Sequence, residues 1–347
     1  MKPMSRKLII LRKINLNNFR AKIIDQLFSI LDLRGSNFLS YSSYSLEVPC
    51  NSAPSPFEDF SDTLVLMQGP ILSANKKIFW IIKNYLSNYN NILIMISTWE
   101  GKDLDNANKV LSHFTDIEKK QIRVIANPIP SNPGIANINL QIFSTIKGLN
   151  EAKLTNRKYV VKTRTDQALV KHNAISILKH NWNSFNGTDK VLEKIVIGSR
   201  NTFLFRFYSF SDMLQFGTIG GLISFWETPL DKRTTKDFQT NSPRSAKDWA
   251  SMNVAEVYLV RNYLQRKGVS TELTLESHLN ALAKCFIVID SEILGFAWTK
   301  YGYRFSPWQE NGFPYVKYEI SHHDWLNIIR ILQNSKVLEA YSERDWR

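Results

Sequence analysis

The chain has 347 residues, 44% hydrophobic, 12% aromatic and 22% charged, a balance that excludes disordered and fibrous classes. Two cysteines, Cys50 and Cys285, are too few for a disulfide framework or a cysteine-built zinc site, which points to a reducing compartment. Forty-four basic residues against 31 acidic ones give a net charge of +13, favouring anionic partners: nucleic acid, an anionic membrane surface or phosphorylated substrates.

Seven cations and no acid lie in the first 22 residues (Lys2, Arg6, Lys7, Arg12, Lys13, Arg20 and Lys22). Phe19, Ile23, Leu27, Ile30 and Leu31 follow near helical spacing. This basic amphipathic stretch reads either as a surface helix packed on the body or as a segment lying on an anionic leaflet. The apolar run Leu8–Leu11 stops at Arg12, short of a signal-peptide core of about 7 to 15 residues. No stretch reaches the roughly 18 to 20 apolar residues of a spanning helix. The expectation is a cytoplasmic chain, peripheral on the inner membrane where the basic segment docks. Residues Arg34 to Asp62 are rich in Ser, Asn and Pro and read as a linker, which closes a first region at about residue 60.

From Asp62 the pattern is regular. Four apolar runs end in polar or turn residues: Thr63–Met67 before Gln68-Gly69-Pro70, Ile92–Ile96 before Ser97-Thr98-Trp99-Glu100, Ile122–Ile125 before Ala126-Asn127-Pro128, and Tyr159–Lys162 before Thr163-Arg164-Thr165-Asp166. Between them Ile78, Ile81, Ile82 and Tyr85 share a helix face, Asp103 is placed to cap a segment running to Phe114, and Ile138, Ile142, Ile146 and Leu149 line a third helix. The strand ends near 70, 99, 128 and 166 lie 29, 29 and 38 residues apart, the length of strand–helix–strand units. Continuous apolar strands predict a mostly parallel sheet covered by helices on both faces. The fold class is therefore α/β. The sheet region spans 61–200, and 201–347 forms a second half with a mixed C-terminal extension. In open parallel sheets ligands sit beyond the carboxyl ends of the strands, so Gln68, Ser97 to Glu100, Asn127 and Lys162 to Asp166 are expected to converge.

Alternation along a strand puts Lys162, Arg164 and Asp166 on one side, and such a set suits a diphosphate with a divalent cation. Glycine-rich phosphate loops of the dinucleotide or Walker kind are absent from the sequence. Glu256 falls among Trp249, Met252, Leu259, Val260 and Tyr263 in a helical stretch from Lys247 to Lys267. An acid on an apolar face needs a partner or a task; it serves as a general base or as half of a structural salt bridge. Asp212 is a second acid in apolar surroundings, read as catalytic or as a turn acid. His322, with His323 and Asp324, is a late candidate metal ligand.

Six segments in order resemble the WavE family of lipopolysaccharide-synthesis proteins, placed with glycosyltransferases of GT-A type. They are Met67-Gln68-Gly69-Pro70-Ile71, Ile96-Ser97-Thr98-Trp99-Glu100-Gly101, Asn137–Ile142 through Lys147-Gly148-Leu149, Lys162–Asp166, Phe210-Ser211-Asp212 with Phe216-Gly217, and Ala255-Glu256. The resemblance covers roughly residues 60 to 265. It implies a GT-A-like fold and transfer from a nucleotide-sugar donor to a lipid-linked or oligosaccharide acceptor of a bacterial surface glycan. It also implies roles: Gln68, Gly69, Pro70 and Ile71 bordering base and ribose, Thr98 beside them, Asn139 or Gln141 touching the nucleotide, and Asp166 holding a metal–diphosphate. Asp212 and Glu256 would take the donor-sugar and acceptor positions, Glu256 as base. Many such enzymes carry Asp-x-Asp where this chain has Arg164-Thr165-Asp166. The implied Mn or Mg ion thus loses one ligand, and Lys162 with Arg164 stand ready to offset leaving-group charge in its place.

Two rival classes remain at this level, a basic nucleic-acid-binding protein and an inactive transferase-like scaffold. The first would need a basic helix or aromatics interleaved with cations on a sheet face, whereas the cations here concentrate at the N-terminus and scatter elsewhere; nucleic acid is therefore not expected as a partner. Trp298, Tyr301, Tyr303 and Trp308 are read as core or as platforms for sugar rings.

Overall fold

A computed structural model describes residues 58–71, 77–186, 192–234, 246–298 and 319–333. The basic N-terminal segment and Tyr301, Tyr303 and Trp308 lie outside the described residues. Among those described, seven strands form one sheet, in the order β3-β2-β1-β4-β7-β6-β8. The strands are β1 (Thr63–Gln68), β2 (Leu93–Trp99), β3 (Ile122–Asn127), β4 (Tyr159–Arg164), β6 (Ile195–Gly198), β7 (Gln215–Thr218) and β8 (Phe286–Ile289). β1 pairs in parallel with both β2 and β4, and β2 with β3. β7 runs antiparallel to β4 and to β6, while β8 is parallel to β6. Six strands therefore point one way and β7 alone opposes them. A separate two-stranded ribbon joins β5 (Gln167–Leu169) to β9 (Phe296–Trp298).

Helices cover this sheet for the reasons the periodicity gives. In α1 (Lys77–Asn88) Ile78, Ile81, Ile82 and Tyr85 are all buried. α2 (Lys102–Leu111) starts after Gly101, so Asp103 lies within its first turn rather than capping it, and the helix stops short of Phe114. A short α3 (Asp116–Lys119) opens on a Thr115–Glu118 capping box. α4 (Ile138–Lys153) lies on β1 and β2, and Gly148 sets that approach: a Cβ there would meet Leu66 Cδ1 at 2.5 Å. α5 (Ala174–Phe185), α6 (Ile219–Trp226), α7 (Ala246–Met252), α8 (Glu256–Arg266), α9 (Leu275–Cys285) and α10 (His322–Leu332) complete the set.

The stretch 247–267, which reads as one helix, is two. Asn253 and Ala255 take positive φ values of 52° and 42°, so the chain breaks between α7 and α8 and Glu256 opens the second helix rather than lying in the middle of a longer one. Strands from both sides of residue 200 belong to the same sheet.

Replacing Gly148 by Ala forces β1 and α4 apart. An expected loss of about 1 to 3 kcal/mol for overpacking is checked by urea unfolding of the variant against the parent.

Candidate active site

Antiparallel pairing of β7 with β4 determines what gathers at the carboxyl edge. Lys162 of β4 is in register with Gln215, the first residue of β7. The segment leading into β7 therefore arrives at the edge where β4 ends, bringing Asp212 beside the Lys162–Asp166 segment. Lys162 is 0% exposed. Its ammonium donates to the carbonyl oxygen of Asp212 and sits 4.5 Å over the Trp226 ring. Burial pulls its pKa down to about 7, with the Asp212 charge opposing the fall and Arg164 adding to it. It is an internal cation with no surface to offer a ligand.

Arg164 and Asp166 lie at the surface end of the same strand. The guanidinium grips the carboxylate through Nε at 3.1 Å and Nη2 at 3.4 Å. The indole N–H of Trp298 donates to Asp166 Oδ2 at 3.1 Å, and Arg164 lies 5.8 Å from the centre of that ring. The β5–β9 ribbon makes this contact, because Gln167, next to Asp166, pairs with Trp298. Trp298 is thus tied to the strand end through its nitrogen.

Glu256 meets the same region from α8. Ser209 Oγ donates to Glu256 Oε1 at 2.6 Å. The carboxyl lies deep among protein atoms although part of the residue keeps some exposure. Burial raises its pKa; Arg206 opposes this and the Asp212 charge adds to it. Arg206 is itself 4% exposed, packed 4.7 Å from the Phe203 ring, and burial draws its pKa down to about 10. Two acids 44 positions apart in the sequence (256 − 212) therefore share one electrostatic neighbourhood, linked through Lys162 to Arg164 and Asp166. A carboxyl with a raised pKa beside a second carboxylate and buried cations is an arrangement suited to accepting a proton.

Most of the other expected contacts are turned inward, although Pro70 is exposed. Gln68 is 3% exposed and its Oε1 accepts from Ser144 Oγ at 3.0 Å. Gly69, at φ 121°, carries the chain past Thr165, whose hydroxyl donates to the Pro70 carbonyl at 2.8 Å. Ile71 is buried, and its carbonyl accepts from Asn106 at 2.7 Å. Thr98 is fully buried, and Asn127 donates to Ser97 Oγ and to the Thr98 carbonyl. Asn139 uses its amide on backbone: Nδ2 donates to the carbonyls of Asn132 and Asp231, and Oδ1 accepts from the Asp231 N–H. Gln141, partly exposed, has a buried Oε1 that lacks a hydrogen-bond partner. Gln68, Asn127 and Asn139 are thus engaged within the protein, whereas the Thr98 hydroxyl, like Gln141 Oε1, is buried without a hydrogen-bond partner.

His322, the late candidate metal ligand, opens α10. Its Nδ1 lies 2.7 Å from the Val288 carbonyl, its N–H donates to Asp290 Oδ1 at 2.9 Å, and its ring packs near Trp325. Asp324 completes a capping box with Ser321 at the start of α10. These groups close a helix end rather than converge on an ion, and no group of three or more His, Cys, Asp or Glu residues suited to a metal occurs among the described residues. Around Asp166 the described donors amount to one carboxylate whose two oxygens already accept from Arg164 and Trp298. A Mn or Mg ion there would have to compete with both donors for that carboxylate and take its remaining ligands from water and substrate phosphates. A cavity of about 410 Å³ lies at the opposite edge, before β1, β2 and β3, lined by Asp59, Tyr89, Asn90 and Gln121; it is remote from the acids.

Arg206 and Ser209 escaped the sequence reading. Arg206 interrupts the apolar run Phe203-Leu204-Phe205-Arg206-Phe207-Tyr208, the same cation-in-apolar-surroundings signal that singled out Lys162.

The fold and the clustered acids describe an α/β protein with a polar site at the carboxyl edge of its sheet. A family model described as WavE lipopolysaccharide synthesis matches residues 63–343, and the chain belongs to that family. A solved structure of a cytidylyltransferase from Leptospira borgpetersenii serovar Hardjo-bovis (strain JB197) is similar at 12% identity, covering 82% of this chain and 98% of that one with a TM-score of 0.36. A search of curated proteins gives no match. No described helix is long and apolar enough to cross a membrane.

Lys162 gives a signed prediction. Below about pH 7 the folded protein carries the full penalty of a buried charge. Between about 7 and the 10.5 of an ordinary lysine the folded state has shed a proton that the unfolded chain keeps, so stability rises with pH. The advantage of Lys162→Met in melting temperature over the parent should shrink across that window, as thermal melts in a pH series will read.

Proposed function

We propose that the chain is a nucleotide-sugar-dependent glycosyltransferase acting on a lipid-linked or oligosaccharide acceptor in bacterial surface-glycan synthesis, with Glu256 as general base. The observation that carries this reading is the meeting of Glu256 and Asp212 at the strand edge, with burial raising the Glu256 pKa. Family membership supports the biosynthetic setting. In the proposed reaction an acceptor hydroxyl attacks the anomeric carbon, Glu256 takes its proton, and the bond to the nucleoside diphosphate breaks. Asp212 orients the sugar or the acceptor.

Arg164 meets the departing diphosphate, exchanging its hold on Asp166 for phosphate oxygens. No step passes through a metal ion. The basic first 22 residues suit an anionic leaflet on the cytoplasmic face, where a lipid-linked acceptor would be presented.

Two outcomes are expected. Glu256→Gln removes the base and the cost of a buried charge together. Transfer should fall by about 100-fold or more, while donor binding in a thermal-shift titration and the melting temperature at pH 7 hold or rise. Equal loss of binding and turnover would instead mark Glu256 as a structural acid. Screening UDP-, GDP-, CMP- and ADP-sugars by thermal shift should find a donor whose binding is unchanged by EDTA and weakened by Arg164→Gln. Dependence on manganese would refute the phosphate role given to Arg164.

A further inference from the structure

The periodicity of residues 247–267 favours one uninterrupted helix, yet the chain breaks at 253–255 with Ala255 at φ 42° and ψ −110°. In an unbroken helix the carbonyls of Met252 and Asn253 would accept from the N–H groups four residues on. Here they accept from Arg233 instead, Nη1 to Met252 O at 2.9 Å and Nη2 to Asn253 O at 2.6 Å. A guanidinium fork occupies the two acceptors that the break sets free.

Arg233 is itself held. Its Nε and Nη2 donate to the two oxygens of Asp231 at 2.9 and 2.8 Å, and Asp231 is 3% exposed. The backbone of Asp231 is clamped to α4 through Asn139, in both directions, at 2.6 and 2.8 Å. A rigid line thus runs from α4 through Asp231 and Arg233 to the residues just before α8.

We propose that the Asp231–Arg233 clip is a positioning device that keeps the α7–α8 break open and thereby aims Glu256 at Ser209, Arg206 and Asp212. The inference rests on the reading of Glu256 as the base. Were 246–266 to close into one helix, the residues before Glu256 would change direction, and its carboxyl would rotate away from the 206–212 segment. Lysine at 233 keeps the charge opposite Asp231 but has no planar fork to span two carbonyls.

The test uses the full chain with Arg233→Lys. Selectively labelled glutamate, with the Glu256 resonance assigned by its loss in Glu256→Gln, gives a carboxyl titration by carbon-detected NMR. Arg206 and Asp212, with the Ser209 hydroxyl, are the groups facing Glu256. Leaving this buried setting, whose desolvation is the main cause of the raised pKa, should shift the titration down toward an ordinary glutamate. Nucleotide release from UDP-, GDP-, CMP- and ADP-sugars should fall about 100-fold in kcat with KM little changed.

Arg266→Ala, which loosens the far end of α8 by removing bonds to Ser224, Phe225 and Thr228, serves as control. It should lower the melting temperature without moving the Glu256 titration. An unchanged titration and kcat in Arg233→Lys would overturn the clip even if Glu256→Gln abolishes transfer. Retained transfer in Glu256→Gln would sink the assignment of the base itself, and the titration still decides whether the clip orients this carboxyl.

Discussion

A fully buried ammonium on the central strand is tolerated only where its surroundings are fixed around it. Lys162 supplies that constraint. Its charge is met by the carbonyl of Asp212 and the face of Trp226, and the Trp226 indole N–H donates to Gln215 Oε1 at 2.6 Å. One cation therefore ties β4, the opening of β7 and α6 into a single arrangement. Because the approach to β7 is held at the carbonyl of Asp212, the Asp212 side chain is delivered to the sheet edge. Ser209 and Arg206 stand a few residues upstream, where Glu256 reaches them. Desolvation raises the Glu256 pKa and lowers that of Lys162, so burial tunes acid and cation in opposite directions within one cluster.

How much was legible varies with how local the signal is. The four apolar runs and their 29-, 29- and 38-residue intervals pointed to the parallel half: β1, β2 and β4 are buried nearly throughout, while β3 at the edge is only partly covered. Lys162, Asp212 and Glu256 were visible as charges in apolar surroundings. The break before Glu256 was not, because the periodicity runs straight through it and the disrupting group, Arg233, comes from another segment. The roles expected of Gln68 and Asn139 also depended on distant partners: Ser144 takes one amide, and the Asp231 backbone the other. His322 looked available because its neighbours are His323 and Asp324, whereas its Nδ1 is in contact with the Val288 carbonyl, 34 positions away.

The excess of positive charge that opens the sequence does not reside in the clustered site. Three cations, Lys162, Arg164 and Arg206, stand against three carboxylates, Asp166, Asp212 and Glu256. The local balance is near neutral; the lowered pKa of Lys162 takes positive charge from it and the raised pKa of Glu256 takes negative charge. The net +13 therefore describes the rest of the chain, including the basic N-terminal stretch, more than the edge where the acids meet.

The bond between Trp298 and Asp166 joins positions 132 apart, and that between Asn139 and Asp231 joins positions 92 apart. During synthesis, β4 leaves the ribosome well before β7, the strand that covers its flank, so a bare parallel edge waits in solution. The strand end cannot acquire its indole partner until the next 132 residues have been made. The finished edge is therefore a late event in the life of the polypeptide, and a nascent chain cut short before the ribbon closes would carry the parallel part of the sheet without it.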